Sequence, residues 1–149
     1  MITGRAFDPF ISQFITSLQQ QALIYGYTPV MYILPLHLSS SAALSLVETS
    51  FMGADRPAGV YAFSDEYAVV LLGALTRLGK RVPQEVALVG TDNLPIGEFV
   101  WPSLTSMCFD ALDMGKRAVD MLHVLHQGLP LPEELTHSLV PQLIPREST

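Results

Sequence analysis

Apolar positions along this chain switch between a helical and a strand period, and the switches fall at residues that start or stop helices. Phe10, Phe14, Leu18, Ala22 and Tyr25 recur at helical spacing behind Asp8-Pro9, which predicts a helix over 9–25 ended by Gly26. Val30–Leu34 is a β-type run between Pro29 and Pro35. Ser39–Ser41 can cap a second helix with the stripe Ala43, Leu44, Leu46, Val47 and Phe51, stopped by Gly53. Ala58–Phe63 reads as a strand, Ser64-Asp65 as a helix start, and the helical pattern then runs to Leu78. Gly79 is a C-cap residue and Pro83 forbids resumption of the helix. Val86–Val89 is a second buried strand. Strand, helix and strand in that order form a βαβ unit with a right-handed crossover, and the chain is organised around it.

The flanks follow the same alternation. Met1–Gly4 reads as the end of a strand. Residues 94–103, with Pro95, Gly97 and Pro102, read as loop, and Leu104–Phe109 as an extended segment. Asp110 caps a predicted helix to about Gln127, with Ala111, Met114, Ala118, Met121, Leu122 and Leu125 on one face. A turn at Gly128–Pro132 precedes a last strand, His137–Ile144. The class is α/β, a three-layer flavodoxin-like lobe with a mostly parallel sheet. Functional groups in such sheets sit beyond the strand C-termini, here Ser64-Asp65 and Thr91-Asp92-Asn93.

Composition narrows the function. The chain has 149 residues, 49% of them apolar, and a formal charge of −6. That suits one well-cored domain and disfavours nucleic-acid binding by this chain, which lacks a basic patch. The single cysteine, Cys108, permits no intrachain disulfide and points to a reducing compartment. No stretch reaches the roughly 18 apolar residues of a membrane span, and the N-terminus has no signal-peptide pattern.

The run from Arg56 to Asn93 (RPAGVYAFSDEYAVVLLGALTRLGKRVPQEVALVGTDN), then WPSLTS, then Gly115 with Ala118 and Leu122, then the closing PQLIPREST, resembles the last part of LacI/GalR-family transcription regulators. Order and spacing match from about Ser41 to Ser148, and QFITSLQQQAL at 13–23 resembles a helix of the same lobe. There are departures. Thr91 replaces the family's usual aromatic, and Phe10 stands where an arginine usually holds the effector, with Arg5 nearby but out of register.

The resemblance implies a single C-terminal effector-binding and dimerising lobe over 1–149 of a cytoplasmic regulator. Its small-molecule effector would be a sugar or nucleobase, and DNA would be read only through a helix-turn-helix domain outside this chain. It implies no cofactor and no enzymatic activity. Asp92 is the implied effector contact, since a carboxylate accepts two strong bonds from one sugar; the alternative is a loop aspartate in an Asx-turn. Ser64 is open between effector contact and plain N-cap. Leu38 stands where many members stack an aromatic on the effector. Asp65 is expected to cap its helix, where a carboxylate suits the dipole. A periplasmic sugar-binding protein of related fold is the alternative function.

Two surfaces exceed what one sheet can cover. On the helix after Asp65, Val69, Val70 and Leu72 widen the apolar stripe, and the following loop offers Phe99, Val100 and Trp101. The resemblance implies a homodimer contact there, through Val69, Leu72, Phe99, Val100 and Trp101. In the family the helix matching 110–127 packs on the other lobe, so its stripe is expected to need a substitute partner, either a neighbouring chain or its own lobe. Cys108 has no histidine beside it and reads as a plain thiol. His123 and His126 are one helical turn apart without a third ligand, so no metal site is expected.

Overall fold

The structure is a computed structural model that describes residues 9–31, 38–53, 58–136 and 140–149. The expected strand end at Met1–Gly4, Arg5, the Asp8 cap and most of the expected Val30–Leu34 strand lie outside the described residues.

Capping chemistry sets the helix limits. Helix α1 spans Pro9–Ile24 and α2 spans Ser40–Phe51, with Ser39 Oγ accepting from the Ala42 amide at 3.2 Å. Helix α3, Asp65–Arg77, ends in a Schellman turn. Gly79 takes φ 73°, its amide donates to Thr76 O, and the Lys80 amide donates to Leu75 O. The same pattern closes α1 at Gly26 and the long helix α5, Ala111–His126, at Gly128. Asp110 Oδ1 caps α5 by accepting from the Asp113 amide at 2.9 Å. Two short helices were not expected: α4, Ile96–Phe99, within the Pro/Gly loop, and α6, Glu133–Thr136.

The strands are β1, Gly59–Tyr61; β2, Ala87–Thr91; β3, Thr105–Cys108; and β4, Gln142–Ile144. They form one sheet in the order β1-β2-β3-β4. The first three are parallel, with Val60 opposite Leu88 and Val89 opposite Thr105, while β4 runs antiparallel, with Leu143 opposite Met107. This is the mostly parallel α/β sheet that the sequence predicts.

The core forms where α2 and α3 cover the sheet. Ala43, Val47 and Phe51 from α2 meet Ala68, Leu71, Leu72 and Leu75 from α3 over Ala62, Val86, Leu88 and Leu104. Leu72, expected on the outward face, is only 3% exposed, because α2 lies alongside α3 and covers it. Helix α5 is different: none of its residues is buried, and it packs mainly on α6. Arg117 ties the two, pairing with Asp113 at 2.6 Å and donating to Glu134 O at 2.9 Å. Its apolar stripe does not return to its own sheet, as one expected outcome required.

The C-terminal residues complete the sheet. Beside the start of β2 the Leu88 amide donates to Ser148 O at 2.8 Å, and the Ser148 amide donates to Ser103 O at 2.9 Å. The Ser148 hydroxyl is fully buried, donating to Leu88 O at 2.6 Å and accepting from the Thr105 amide at 2.8 Å. The closing Arg-x-Ser pattern is therefore a splice between β2 and β3.

Candidate functional site

The C-terminal ends of β1 and β2 lie side by side, as parallel pairing requires, and bring Ser64 and Asp92 to one edge of the sheet. Ser64 is the N-cap of α3, its Oγ accepting from the Glu66 amide at 3.3 Å. The same hydroxyl retains a proton to donate, so capping and ligand contact are compatible.

Asp65 behaves otherwise than expected. It is not the cap but the first helical residue, and it is fully buried. Its carboxylate crosses to two other elements: Oδ2 accepts from the Leu94 amide at 2.6 Å, and Oδ1 accepts from Ser106 Oγ at 2.7 Å. Ser106 Oγ in turn accepts from the Asn93 amide at 3.0 Å. Asp65 is thus the tether that fastens the segment after β2 to β3.

That tether holds a turn of unusual backbone. Asp92 and Asn93 both have positive φ, 98° and 51°, which Asp and Asn tolerate better than most residues. The Asp92 amide donates to Met107 O at 2.8 Å, which continues the β2–β3 ladder. Asn93 Oδ1 accepts from the Arg146 guanidinium at 2.8 Å. Among the described residues, no hydrogen bond engages the Asp92 carboxylate. Burial, then the nearby charges of Asp65 and Glu66, push its carboxyl above the ordinary value. An Asx-turn would have used the side chain locally; here it is presented outward, partly exposed.

Thr91, the departure from the family's aromatic, is buried beneath this edge. Its Oγ1 bonds the Tyr61 hydroxyl at 2.7 Å and donates to Ala62 O at 3.1 Å. Burial raises the Tyr61 phenol, the Thr91 bond opposes the shift, and the charge on Asp92 adds to it. Leu38 is half-buried and packs against the core. The edge is therefore acidic and rich in acceptors, which suits hydroxyl or N–H donors and opposes anions. Among the described residues no cluster of three His, Cys, Asp or Glu side chains is placed to hold a metal ion. No described helix is long and apolar enough to cross a membrane.

The second surface lies beside the first. Phe99 and Trp101 are 81% and 80% exposed, next to a groove lined by Leu44, Val69, Val70, Gly73, Val100 and Trp101. Leu72 lines its floor from within the core.

Sequence reasoning did not find Asp65 as a tether, nor Ser106, Arg146 and Ser148 as its partners in fixing the turn. The polar pair Thr105-Ser106 inside an apolar strand was the available signal.

The family of periplasmic binding protein-like domains matches residues 3–149. The ribose operon repressor of Haemophilus influenzae is 28% identical over 119 residues, covering 78% of this chain and 35% of that protein. The transcriptional regulator GalR of Salmonella typhimurium is 32% identical over 101 residues, covering 67% of this chain and 29% of that protein. Among solved structures, a LacI family transcriptional regulator from Arthrobacter in complex with lactose aligns with a TM-score of 0.74 and 28% identity, covering 90% of this chain and 50% of that one. The chain thus spans between about a third and a half of the lengths of these relatives.

Proposed function

Because the chain belongs to the family of periplasmic binding protein-like domains, in its LacI/GalR branch, we propose that it is the effector-sensing and self-associating lobe of a transcription regulator. The observation that carries the reading is Asp92. It sits beyond a parallel strand end, in a left-handed turn fixed by Asp65, Ser106 and Arg146, with its carboxylate free of hydrogen bonds among the described residues. Such a group is pre-organised to accept from a ligand.

The effector is a neutral polyhydroxyl compound or a nucleobase. Asp92, Asp65 and Glu66 together make an anionic effector unfavourable. Asp92 accepts its donors, Ser64 supplies a hydroxyl, and Leu38 lends an apolar wall. Relatives named as a ribose operon repressor and GalR, and a regulator bound to lactose, support the sugar class. The chain performs no catalysis, works in the cytoplasm, and influences DNA through a reading domain elsewhere in the complete regulator. The groove of Val69 and Val70 with Phe99, Val100 and Trp101 supports a homodimer, with Leu72 bracing it from inside. Helix α5 docks on the other lobe.

A thermal-shift screen on the complete regulator tests the reading, since a ligand of the native state raises stability. Neutral sugars or nucleobases should raise the melting temperature, and phosphorylated sugars should not. A screen in which only anionic compounds act would overturn the proposal.

A further inference from the structure

The guanidinium of Arg146 joins the turn of the candidate site to the exposed aromatic edge. Its side chain is 13% exposed. Nη2 donates to Asn93 Oδ1 at 2.8 Å and to Glu98 Oε1 at 3.0 Å, while Nη1 donates to Leu104 O at 2.8 Å. Asn93 adjoins Asp92, Glu98 lies in α4 beside Phe99, and Leu104 ends the excursion that begins at Asp92. One rigid fork therefore holds the start, middle and end of residues 92–104, which a lysine with its single charged nitrogen cannot reproduce.

Both sides of the fork are themselves fixed. The Arg146 amide donates to Thr105 Oγ1 at 2.8 Å, and two residues on Ser148 is locked between β2 and β3. On the other side α4 lies close against the arginine. A methyl group on Gly97 would sit 3.4 Å from Leu104 Cβ and 3.8 Å from Arg146 Nη1, and the Leu104 amide donates to Gly97 O at 2.8 Å. Helix α4 cannot tilt without disturbing the arginine, and the arginine cannot move without releasing Asn93.

We propose that Arg146 is a positioning residue that makes the Asp92–Asn93 turn and the Phe99–Trp101 edge move as one unit, so that occupancy of the first is felt at the second. Its consequence for regulation rests on the reading of that turn as an effector site. The mechanical link does not, and it is tested without any effector.

Trp101 is the sole tryptophan, so its fluorescence reports on the edge alone. The test is a double-mutant cycle of Asn93→Gly and Arg146→Met in the full chain, read by acrylamide quenching of Trp101 and by amide exchange over 96–99. Glycine accepts the positive φ of Asn93, and any backbone effect is common to both backgrounds and cancels. With Arg146 present, Asn93→Gly should raise exchange over 96–99 by about tenfold and increase quenching. With Arg146→Met, the same change should add less than about twofold. Arg146→Lys, which keeps the charge and much of the stem, should behave like Arg146→Met in the cycle, and it serves if the methionine variant does not fold. Equal effects of Asn93→Gly in all backgrounds, or none at 96–101 in the parent chain, would overturn the proposal. A failed effector screen would remove the effector reading and leave this result standing.

Discussion

The carboxylate of Asp65 occupies the place where a side chain on Gly90 would begin. A Cβ built on Gly90 would fall well inside contact distance of Asp65 Oδ1, and Leu104 Cδ2 would lie 3.0 Å away on the other side. Glycine is required there because another residue's buried acid crosses the strand. Gly90→Ala should therefore destabilise the chain by about 2–3 kcal/mol, as overpacked cores do. Asp65→Ala should cost a similar amount, roughly 2–3 kcal/mol, by stranding the Leu94 amide and the Ser106 hydroxyl. The double variant should lose less than the sum by about 1 kcal/mol or more, because removing the carboxylate makes room for the methyl. Urea unfolding of the four proteins measures this, and strict additivity would mean that the two residues do not compete for the space.

Ser148 gives a simpler case. Its hydroxyl both donates to Leu88 O and accepts from the Thr105 amide, with no exposure to water. Ser148→Ala leaves that amide without its partner and should cost about 1–3 kcal/mol. Exposed Ser45→Ala on α2 is the control and should change the melting midpoint little.

How far these features can be read from sequence depends on whether they are local. The ends of α2, α3 and α5 follow from caps and glycines within a few residues, and the strand ends carrying Ser64 and Asp92 follow from them. The left-handed turn was half-legible, since Asp92 and Asn93 are types that tolerate it. The Asp65 crossing and the Arg146 fork were not, because they join residues 29 to 53 positions apart and have no period to betray them. Helix α4 is four residues long, too short to show a period among Pro95 and Gly97. Leu72 was placed outward because a helical wheel considers one covering surface, whereas α3 has the sheet on one side and α2 on another.

Asp92 should prove costly to the fold and needed for function. Its folded carboxyl is raised above the unfolded value by burial, Asp65 and Glu66, so the folded state holds this proton more tightly than the unfolded chain does. Its contribution to stability is therefore full at acid pH, below the unfolded value, and is lost as pH rises through the raised one. Asp92→Asn, which keeps tolerance of positive φ, should melt higher than the parent at neutral pH, with the gap closing toward pH values below about 4. The same variant, and Asp92→Ala, should lose the effector response in the complete regulator while staying folded. A variant that is less stable at neutral pH and still binds normally would identify Asp92 as a loop residue only.

The groove beside Trp101 predicts the effect of a charge placed in it. Val69 and Val70 are half-buried on the open side of α3 and line the groove with Trp101. If a second copy covers that surface, Val69→Glu buries an unpaired carboxylate at the contact and should weaken self-association by about 3 kcal/mol, over a hundredfold in dissociation constant. The monomer fold should survive, because the glutamate can reach water once the partner leaves. Sedimentation across a concentration series is the measurement. A wild-type chain that stays monomeric at high concentration would remove the premise.

Helix α5 makes the last demand. It is a regular 16-residue helix with a cap at Asp110 and a Schellman turn at Gly128, yet no residue of it is buried. Met114, Leu122 and Leu125 are 48%, 67% and 54% exposed, and Arg117 spends its polar contacts on α6 and Asp113 rather than on the sheet. Burying a side chain of this kind contributes about 1.5–3 kcal/mol, so a stripe left in water forgoes several such gains. The stripe therefore belongs against another surface, the other lobe in the complete regulator. Leu122→Lys should lower the stability of the complete regulator by about 2 kcal/mol. In residues 1–149 alone the same change should alter the unfolding midpoint little, within about 0.5 kcal/mol, because the side chain has no cover to lose there. Paired urea titrations decide it. An equal loss in both proteins would mean that the stripe is covered within its own lobe, and no loss in either would mean that the helix lies in solvent throughout.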